Sequence, residues 1–239
     1  MGFSNILPRK DTIAKSGALR GSKDFHTHIL YGVDDGVQTL EESLAALGYE
    51  ESLGVTEVWC TPHIMEDLPN ETQALKEKFE QMKDIYNGAV TLHLGAEYMI
   101  DELFRSRLKR GDILTINEDT LLIEISLAGL PYGFETILNN MMSSGYNPLL
   151  AHPERYLFLR MDDYHRIRDM GVRFQLNIAS LTGWYGKAVR ERAETLLLEG
   201  IYSVYGSDCH SVKVMTHQYS DTTISREMLR RVSLIGNNI

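Results

Sequence analysis

The sequence predicts an α/β protein whose strands close into a (β/α) barrel, on three observations. Short apolar, β-branched runs alternate with longer segments of helical periodicity, the pattern of parallel strands joined by helical crossovers. The strand-like runs number about seven and are strongly apolar, as strands covered on both faces must be. No Gly-rich phosphate loop follows the first strand, neither G-x-G-x-x-G nor a Walker A sequence, which counts against a doubly wound nucleotide fold.

The elements follow in order. DFHTHIL is the first strand. TLEESLAALGYEESLG spaces Leu40, Leu44 and Leu47 along one helical face, with Thr39 as N-cap and Glu42 three residues on, a capping-box spacing. VTEVWCTPH reads as one strand, and ETQALKEKFEQMKDIYNG as a charged amphipathic helix stopped by Asn87-Gly88. TLHLGAEYM and TLLIEIS read as strands, GFETILNNMMSSGY as a helix, NPLLAHPER as a strand. MDDYHRIRDMG and KAVRERAETLLLEG are helices on either side of the strand RFQLNIAS. IYSVYGSDCH is the last clear strand, with a weaker helix near Ser225 to Val232.

The bulk properties narrow the function. At 239 residues, 43% hydrophobic and 24% charged, the chain is long enough for one sizeable core. A formal net charge of -9 disfavours a general nucleic-acid binder, which needs a basic face. Two cysteines, Cys60 and Cys209, make no disulfide framework. No apolar run is long enough to span a bilayer, and the first residues lack the h-region of a signal peptide. The expectation is a cytoplasmic protein, with residues 1–22 as a polar extension and 23–239 as a single barrel domain.

Chemistry-bearing residues collect at the ends of the strands. His26 and His28 end the first, followed by Asp34 and Asp35; Thr61-Pro62-His63 ends the second, and Gly95-Ala96-Glu97 another. Glu124 lies inside the apolar run LLIEI, Ala151-His152-Pro153-Glu154-Arg155 follows the next strand, and Ser207-Asp208-Cys209-His210 the last. Barrel enzymes draw their sites from these ends. Residues i and i+2 of a strand share a face, so His26 aims with His28, and Asp208 with His210. If the sheet closes, the first and last strands are neighbours and these four form a mixed N/O cluster suited to zinc, manganese or iron. Each residue alone also has a plain structural reading: His63 can cap a turn, Glu97 can be a surface carboxylate, Glu154 and Arg155 can pair in a loop. Glu124 resists such a reading, because a carboxylate in an apolar strand must be paired, protonated or metal-bound. His93, His165 and His217 have no comparable position and read as structural.

Taken in order, His-x-His, Asp-Asp-Gly, Thr-Pro-His, Gly-x-Glu, Leu-Ile-Glu, Ala-His-x-Glu-Arg-Tyr and Ser-Asp-x-His resemble the PHP (polymerase and histidinol phosphatase) superfamily, from about Asp24 to His210. DDGV and AHPERY point to its bacterial manganese-dependent protein-tyrosine phosphatases of the capsule and exopolysaccharide type. The resemblance implies a distorted (β/α)7 TIM-like barrel (the PHP fold) and two or three divalent ions, Mn2+ with Fe or Zn as alternatives. It implies His26, His28, Glu97 and Asp208 around one ion, Glu97 bridging to a second held by Glu124 and His152, and Asp35, His63 and His210 around a third. It assigns Arg155 to the substrate phosphate, with His210 or an aspartate such as Asp208 assisting the leaving group. Four carboxylates against three divalent ions leave a net positive pocket, suited to a phosphate dianion. The implied substrate is phosphotyrosine on a protein, a bacterial tyrosine kinase controlling polysaccharide synthesis; a small-molecule phosphatase of the histidinol-phosphate kind is the alternative. A cysteine phosphatase needs Cys-x5-Arg, but Glu66 and Met215 stand six residues after Cys60 and Cys209. Two features depart from the resemblance: more than twenty residues precede His26, and SVKVMTHQYS after His210 does not match the family's continuation.

Overall fold

The structure is a computed structural model, and it describes residues 10–235. In chain order the elements are β1 (Lys10–Thr12), α1 (Ile13–Ser16), β2 (Lys23–Thr27), α2 (Leu40–Leu53), β3 (Glu57–Cys60), β4 (His63–Ile64) and α3 (Thr72–Ile85). There follow β5 (Thr91–Leu94), β6 (Glu97–Met99), α4 (Glu102–Arg110), β7 (Thr120–Glu124), α5 (Phe134–Ser143), β8 (Asn147–Ala151), α6 (Met161–Asp169) and β9 (Arg173–Asn177). The chain closes with α7 (Lys187–Leu198), β10 (Val204–Gly206), α8 (Val212–Asp221), β11 (Thr223–Ser225) and α9 (Arg226–Val232). Single 3-10 turns cover Pro153–Arg155 and Ile178–Thr182.

The fold is mixed α/β with curled parallel sheets. One has six strands in the order β10-β9-β8-β7-β6-β4, the other three in the order β2-β3-β5. Every pairing within them is parallel. β10 also lies beside β2, as the expected meeting of first and last strands requires. Asp208 N–H donates to the His26 carbonyl at 2.8 Å, and His28 N–H to the Cys209 carbonyl at 3.0 Å. Phe25, Trp59, Leu122, Leu149 and Val204, drawn from five strands, form a small apolar cluster of their own. Contributions from five strands place it between the strands, not between strands and helices. Glu124 stands two residues beyond Leu122, so it projects above this plug on the same face.

Two expected strands are each broken in two. VTEVWCTPH divides into β3 and β4 at Thr61-Pro62, and TLHLGAEYM into β5 and β6 at Gly95-Ala96. Proline has no N–H to continue a ladder. Each second half joins the six-stranded sheet, and both chains turn at one level: Cys60 pairs with Leu94, and His63 with Glu97. His63 and Glu97 therefore begin short strands instead of ending long ones. The segment DELFRSRLKR carried no expectation and forms most of α4, capped by Asp101, whose carboxylate accepts the Phe104 N–H at 2.8 Å.

The α2 cap behaves nearly as its sequence predicts. Thr39 Oγ accepts the Glu42 N–H at 3.3 Å, but the Glu42 carboxylate takes the N–H of Gln38, one residue before the cap. Residues 1–9 of the expected N-terminal extension lie outside the described residues. Of the remainder, β1 pairs antiparallel with β11, and Ile13 and Leu19 are buried in the main core.

Candidate metal centre

All nine expected ligand residues come together. Their groupings overlap: His26, His28 and Asp208; His26, Glu97 and His152; His63, Glu97 and Glu124; and His28, Asp35, His63 and His210. A register shift in β2 between Asp24 and Thr27 re-aims the chain just where His26 and His28 leave it. His152 and Asp208 have φ of 34° and 53°, the only non-glycine residues with positive φ among those described. Each such conformation costs about 1–3 kcal/mol, and both serve this site.

With both imidazoles neutral, the innermost group is a set of lone pairs with no proton between them. His26 Nδ1 donates to Gln175 Oε1 at 2.9 Å, and His28 Nδ1 to Asp34 Oδ2 at 2.8 Å. Both Nε2 atoms are thereby left as acceptors, yet they face each other at 3.0 Å. Glu97 Oε2 lies 3.1 and 3.2 Å from them, and Asp208 Oδ1 3.4 Å from each. His26, His28 and Glu97 are wholly buried and Asp208 nearly so. Donor atoms about 2.1 Å from a shared ion lie roughly 3.0–3.4 Å apart in octahedral or tetrahedral shells. The spacing and chemistry of this set fit a divalent cation.

Glu97 reaches both ways. Its Oε2 faces His26, His28 and His63, while Oε1 lies 3.0 Å from His152 Nε2. His63 Nδ1 is 3.1 Å from Glu97 Oε2 and 3.2 Å from Glu124 Oε1. His63 Nδ1, Glu97 Oε2 and Glu124 Oε1 are all buried without a hydrogen-bond partner. Orphaned buried polar atoms are rare in native proteins, and three on one spot mark a place for a cation. Asp35 Oδ1 lies at the mouth, 3.4 Å from His210 Nε2 and 3.6 Å from His63 Nε2.

The electrostatics carry the same imprint. Burial disfavours a charged His26, but the facing carboxylates of Glu97 and Asp208 outweigh it and lift the imidazole to about 9. His28 is raised well above its ordinary value against the same burial, by the carboxylates of Asp208, Asp34 and Glu97 set against its ring nitrogens. Burial pushes Glu97 and Asp208 up, yet the surrounding imidazoles bring both below the usual carboxylate range. A hydrogen bond from His210 holds Asp35 down to about 2. Negative charge in excess draws protons here, and would draw a metal ion in their place.

Several functional residues went unread in the sequence. Gln175 orients His26, and its Oε1 also accepts the His152 N–H at 3.2 Å. Asn177 Nδ2 donates to Asp208 Oδ2 at 2.8 Å, leaving Oδ1 to face the histidines. Gln175 and Asn177 stand two apart in RFQLN, the i, i+2 spacing that identified the histidine pair, so the signal was present. Asp34, which the resemblance leaves outside the ligand set, turns His28 and accepts the His63 N–H at 3.0 Å. Asn70 Nδ2 donates to the carbonyls of Val33 and His63, tying the Asp35 loop to β4. A Cβ at Gly36 or Gly206 would sit 2.5 Å from the Cβ of His28 or His26, so both glycines are there for close approach. Glu154 and Arg155 do not pair. Glu154 is buried on Asn177 N–H, Ser180 Oγ and Tyr202 OH.

Arg155 Nη1 instead lies 3.5 Å from Asp208 Oδ2, with its guanidinium 4.8 Å over the Tyr185 ring. Both line a cavity of about 440 Å3 with Asp35, His63, Glu97, Glu124, His152, Asp208 and His210. His93, stacked on Trp59 and bonded to Glu57, and His217, bonded to Asp221, take no part.

Residues 22–227 match the family model described as capsular polysaccharide synthesis, CpsB/CapC. The chain belongs to the CpsB/CapC family. One family member, the tyrosine-protein phosphatase CpsB of Streptococcus pneumoniae, is 32% identical over 206 residues, 79% of this chain and 83% of that protein. The tyrosine-protein phosphatase YwqE of Bacillus subtilis is 28% identical over 198 residues, 80% of this chain and 78% of its own. A chain from the crystal structures of YwqE and CpsB, described as metal-dependent tyrosine phosphatases, superposes with a TM-score of 0.74 and 24% identity. The match covers 88% of this chain and 85% of that one, and it establishes the CpsB/CapC fold for this chain. SVKVMTHQYS, which did not match the expected continuation, lies inside the CpsB/CapC match and forms most of α8. Among the described residues no helix is long and apolar enough to cross a membrane.

Proposed function

We propose that this chain is a metal-dependent protein-tyrosine phosphatase, built on the distorted (β/α)7 barrel of the PHP superfamily. The observation that carries the reading is the meeting of buried, unpartnered lone pairs with an arginine in one cavity. Membership of a family whose relatives are named tyrosine-protein phosphatases supports it. His26, His28, Glu97 and Asp208 would hold one divalent ion, Glu97, Glu124 and His152 a second, and Asp35, His63 and His210 a third. Manganese is the first expectation, and iron or zinc suits the same donors. Such ions acidify bound water and neutralise a phosphoryl group.

The chain's own residues do the rest. Arg155 receives the phosphoryl oxygens with fixed N–H donors. Burial alone would disfavour its charge, but Asp208 more than restores it, so the guanidinium stays cationic. Tyr185 beneath and Asp208 beside it set its direction. The leaving tyrosinate, of pKa about 10, needs little protonation. His210 sits at the cavity mouth with Nδ1 on the Asp208 carbonyl at 2.9 Å, which turns its Nε2 towards Asp35. The cysteines offer no rival nucleophile, because both are buried and burial pushes both thiols up.

A cytoplasmic tyrosine kinase governing capsular or exopolysaccharide synthesis is the proposed phosphoprotein. The test is elemental analysis of the purified chain alongside turnover of a phosphotyrosine peptide and of histidinol phosphate. Peptide turnover should vanish with a chelator and survive thiol alkylation; the reverse result overturns the reading.

A further inference from the structure

Nine large hydrophobic side chains are well exposed among the described residues, and six of them cluster in three loops. Leu127 (55% exposed), Leu130 (39%) and Tyr132 (97%) follow β7. Leu157 (45%) and Phe158 (39%) follow β8, and Trp184 (50%) follows β9. These strands are consecutive neighbours in the sheet, so the loops leave it side by side. They are also the loops that carry the chain away from Glu124, His152 and Asn177. The apolar surface thus begins at the rim of the metal cavity, and Trp184 belongs to both.

The charge of these loops departs from that of the chain. Residues 125–133 and 178–186 hold no ionisable acid or base other than tyrosine. Residues 152–160 hold one acid, the buried Glu154, against Arg155 and the exposed Arg160. In a protein of net charge -9 these three segments themselves present apolar groups and no exposed carboxylate, and of the acids that border them Glu135 and Asp163 are paired with Arg166 and Arg160. Such patches mark interaction sites. Scattered exposed leucines would need no explanation, but six large side chains in adjacent loops at a catalytic rim do.

We propose that these loops are the docking surface for the polypeptide on either side of the phosphotyrosine, and that they select segments with apolar residues next to it. This rests on the phosphatase reading above. A phosphotyrosine reaching the cavity in an extended segment must lay its neighbours over the rim. Apolar neighbours bury Leu130, Tyr132 and Phe158, and nearby carboxylates would lose solvation there without finding a free partner, since Arg160 already pairs with Asp163.

The test uses the full chain loaded with metal, and the double variant Leu130→Ser/Tyr132→Ser. Each is assayed on phenyl phosphate and on two phosphotyrosine peptides, one flanked by Leu and Val, the other by Asp and Glu. The wild type should prefer the apolar peptide about tenfold or more in kcat/KM, and the variant should lose most of that preference. Leu157→Ser, on the neighbouring loop, should lose part of it. Sedimentation of each variant reads the oligomeric state. An apolar-to-acidic ratio equal in wild type and variants overturns the proposal. So does an unchanged ratio with a change in mass, which would make the patch an interface between copies. A wild type that holds metal but hydrolyses none of the three esters overturns instead the phosphatase reading on which this surface depends.

Discussion

The two ends of the proposed metal centre differ in how far the fold has committed to them. His26, His28, Glu97 and Asp208 sit out of water, each turned by an atom behind it: Gln175, Asp34, Asn177 or an opposing imidazole. The mouth group lies nearer solvent, with Asp35 and His210 in loops and His63 at the start of β4. The Asp35 side chain is 67% exposed, that of His210 34%, that of His63 12%. Like ligand chemistry therefore meets opposite solvation. The inner set cannot relax into water when empty, while the outer one can. The inner ion should bind tightly and stay, and the mouth ion should exchange.

Removing the group that joins the two ends gives the largest effect. Glu97 faces four imidazoles with its two oxygens. Glu97→Gln should abolish more than one metal position and cut phosphotyrosine turnover by about a thousandfold or more, a loss of several kcal/mol of charge stabilisation. Elemental analysis at fixed protein concentration reads the first effect, single-turnover kinetics the second. A variant that keeps its metal content would remove Glu97 from its bridging place.

Asp35→Asn should strike the mouth alone. We expect a fall of about tenfold to a hundredfold at limiting metal, one to two steps of 1.4 kcal/mol, largely recovered when metal is in excess. Glu97→Gln should not recover in this way. Equal rescue of both variants would erase the distinction between the two ends.

The residues behind the ligands divide along the same line. Gln175→Ala unties His26 and the His152 backbone, and Asn70→Ala unties the Val33 and His63 carbonyls. Losing such partners commonly costs on the order of 10–100-fold in metal affinity. Gln175→Ala should weaken the most tightly held ion, Asn70→Ala the most labile. Competitive titration with a chromophoric chelator resolves the two classes.

What could be read in advance follows from how local each constraint is. Strand period exposed the pairing of His26 with His28 at the end of β2, whereas Asp208, at φ 53°, and His210 lie beyond β10, and the turn there sends one to the inner group and the other to the mouth. Glu124 was visible because a carboxylate among Leu121, Leu122 and Ile123 conflicts with its neighbours. Which of Asp34 and Asp35 faces an ion was not spacing's to decide. Adjacent residues of a loop can point anywhere, and that assignment came from resemblance. The breaks at Thr61-Pro62 and Gly95-Ala96 were passed over because the apolar pattern runs through them, although Pro62 signalled the first. Asn70 and the β1–β11 pair depend on contacts far apart in sequence, and a three-residue strand carries too little pattern to announce its partner.

The smallest effect is a pH dependence, and it separates the raised histidines from Asp35 by its window. In the metal-free protein His26 is lifted to about 9 from an ordinary 6.5. Its contribution is complete below pH 6.5 and is lost as pH rises through 9. Asp35 is held at about 2 against 3.8, so its contribution is present above pH 3.8 and is lost only as pH falls through 2. It is also well solvated, hence small. Between pH 6.5 and 9 Asp35 is therefore silent, and the raised histidines, His26 and His28 with His63 beside Glu97 and Glu124, should lower the melting temperature of chelator-treated protein as pH rises. Metal reverses the slope: it takes the place of those protons, so the rise in melting temperature on adding manganese should grow across the same interval. Calorimetric scans with and without chelator read both slopes. A metal-free protein whose stability is flat from pH 6.5 to 9 would mean that protons do not hold the inner imidazoles and carboxylates together when the ion is gone.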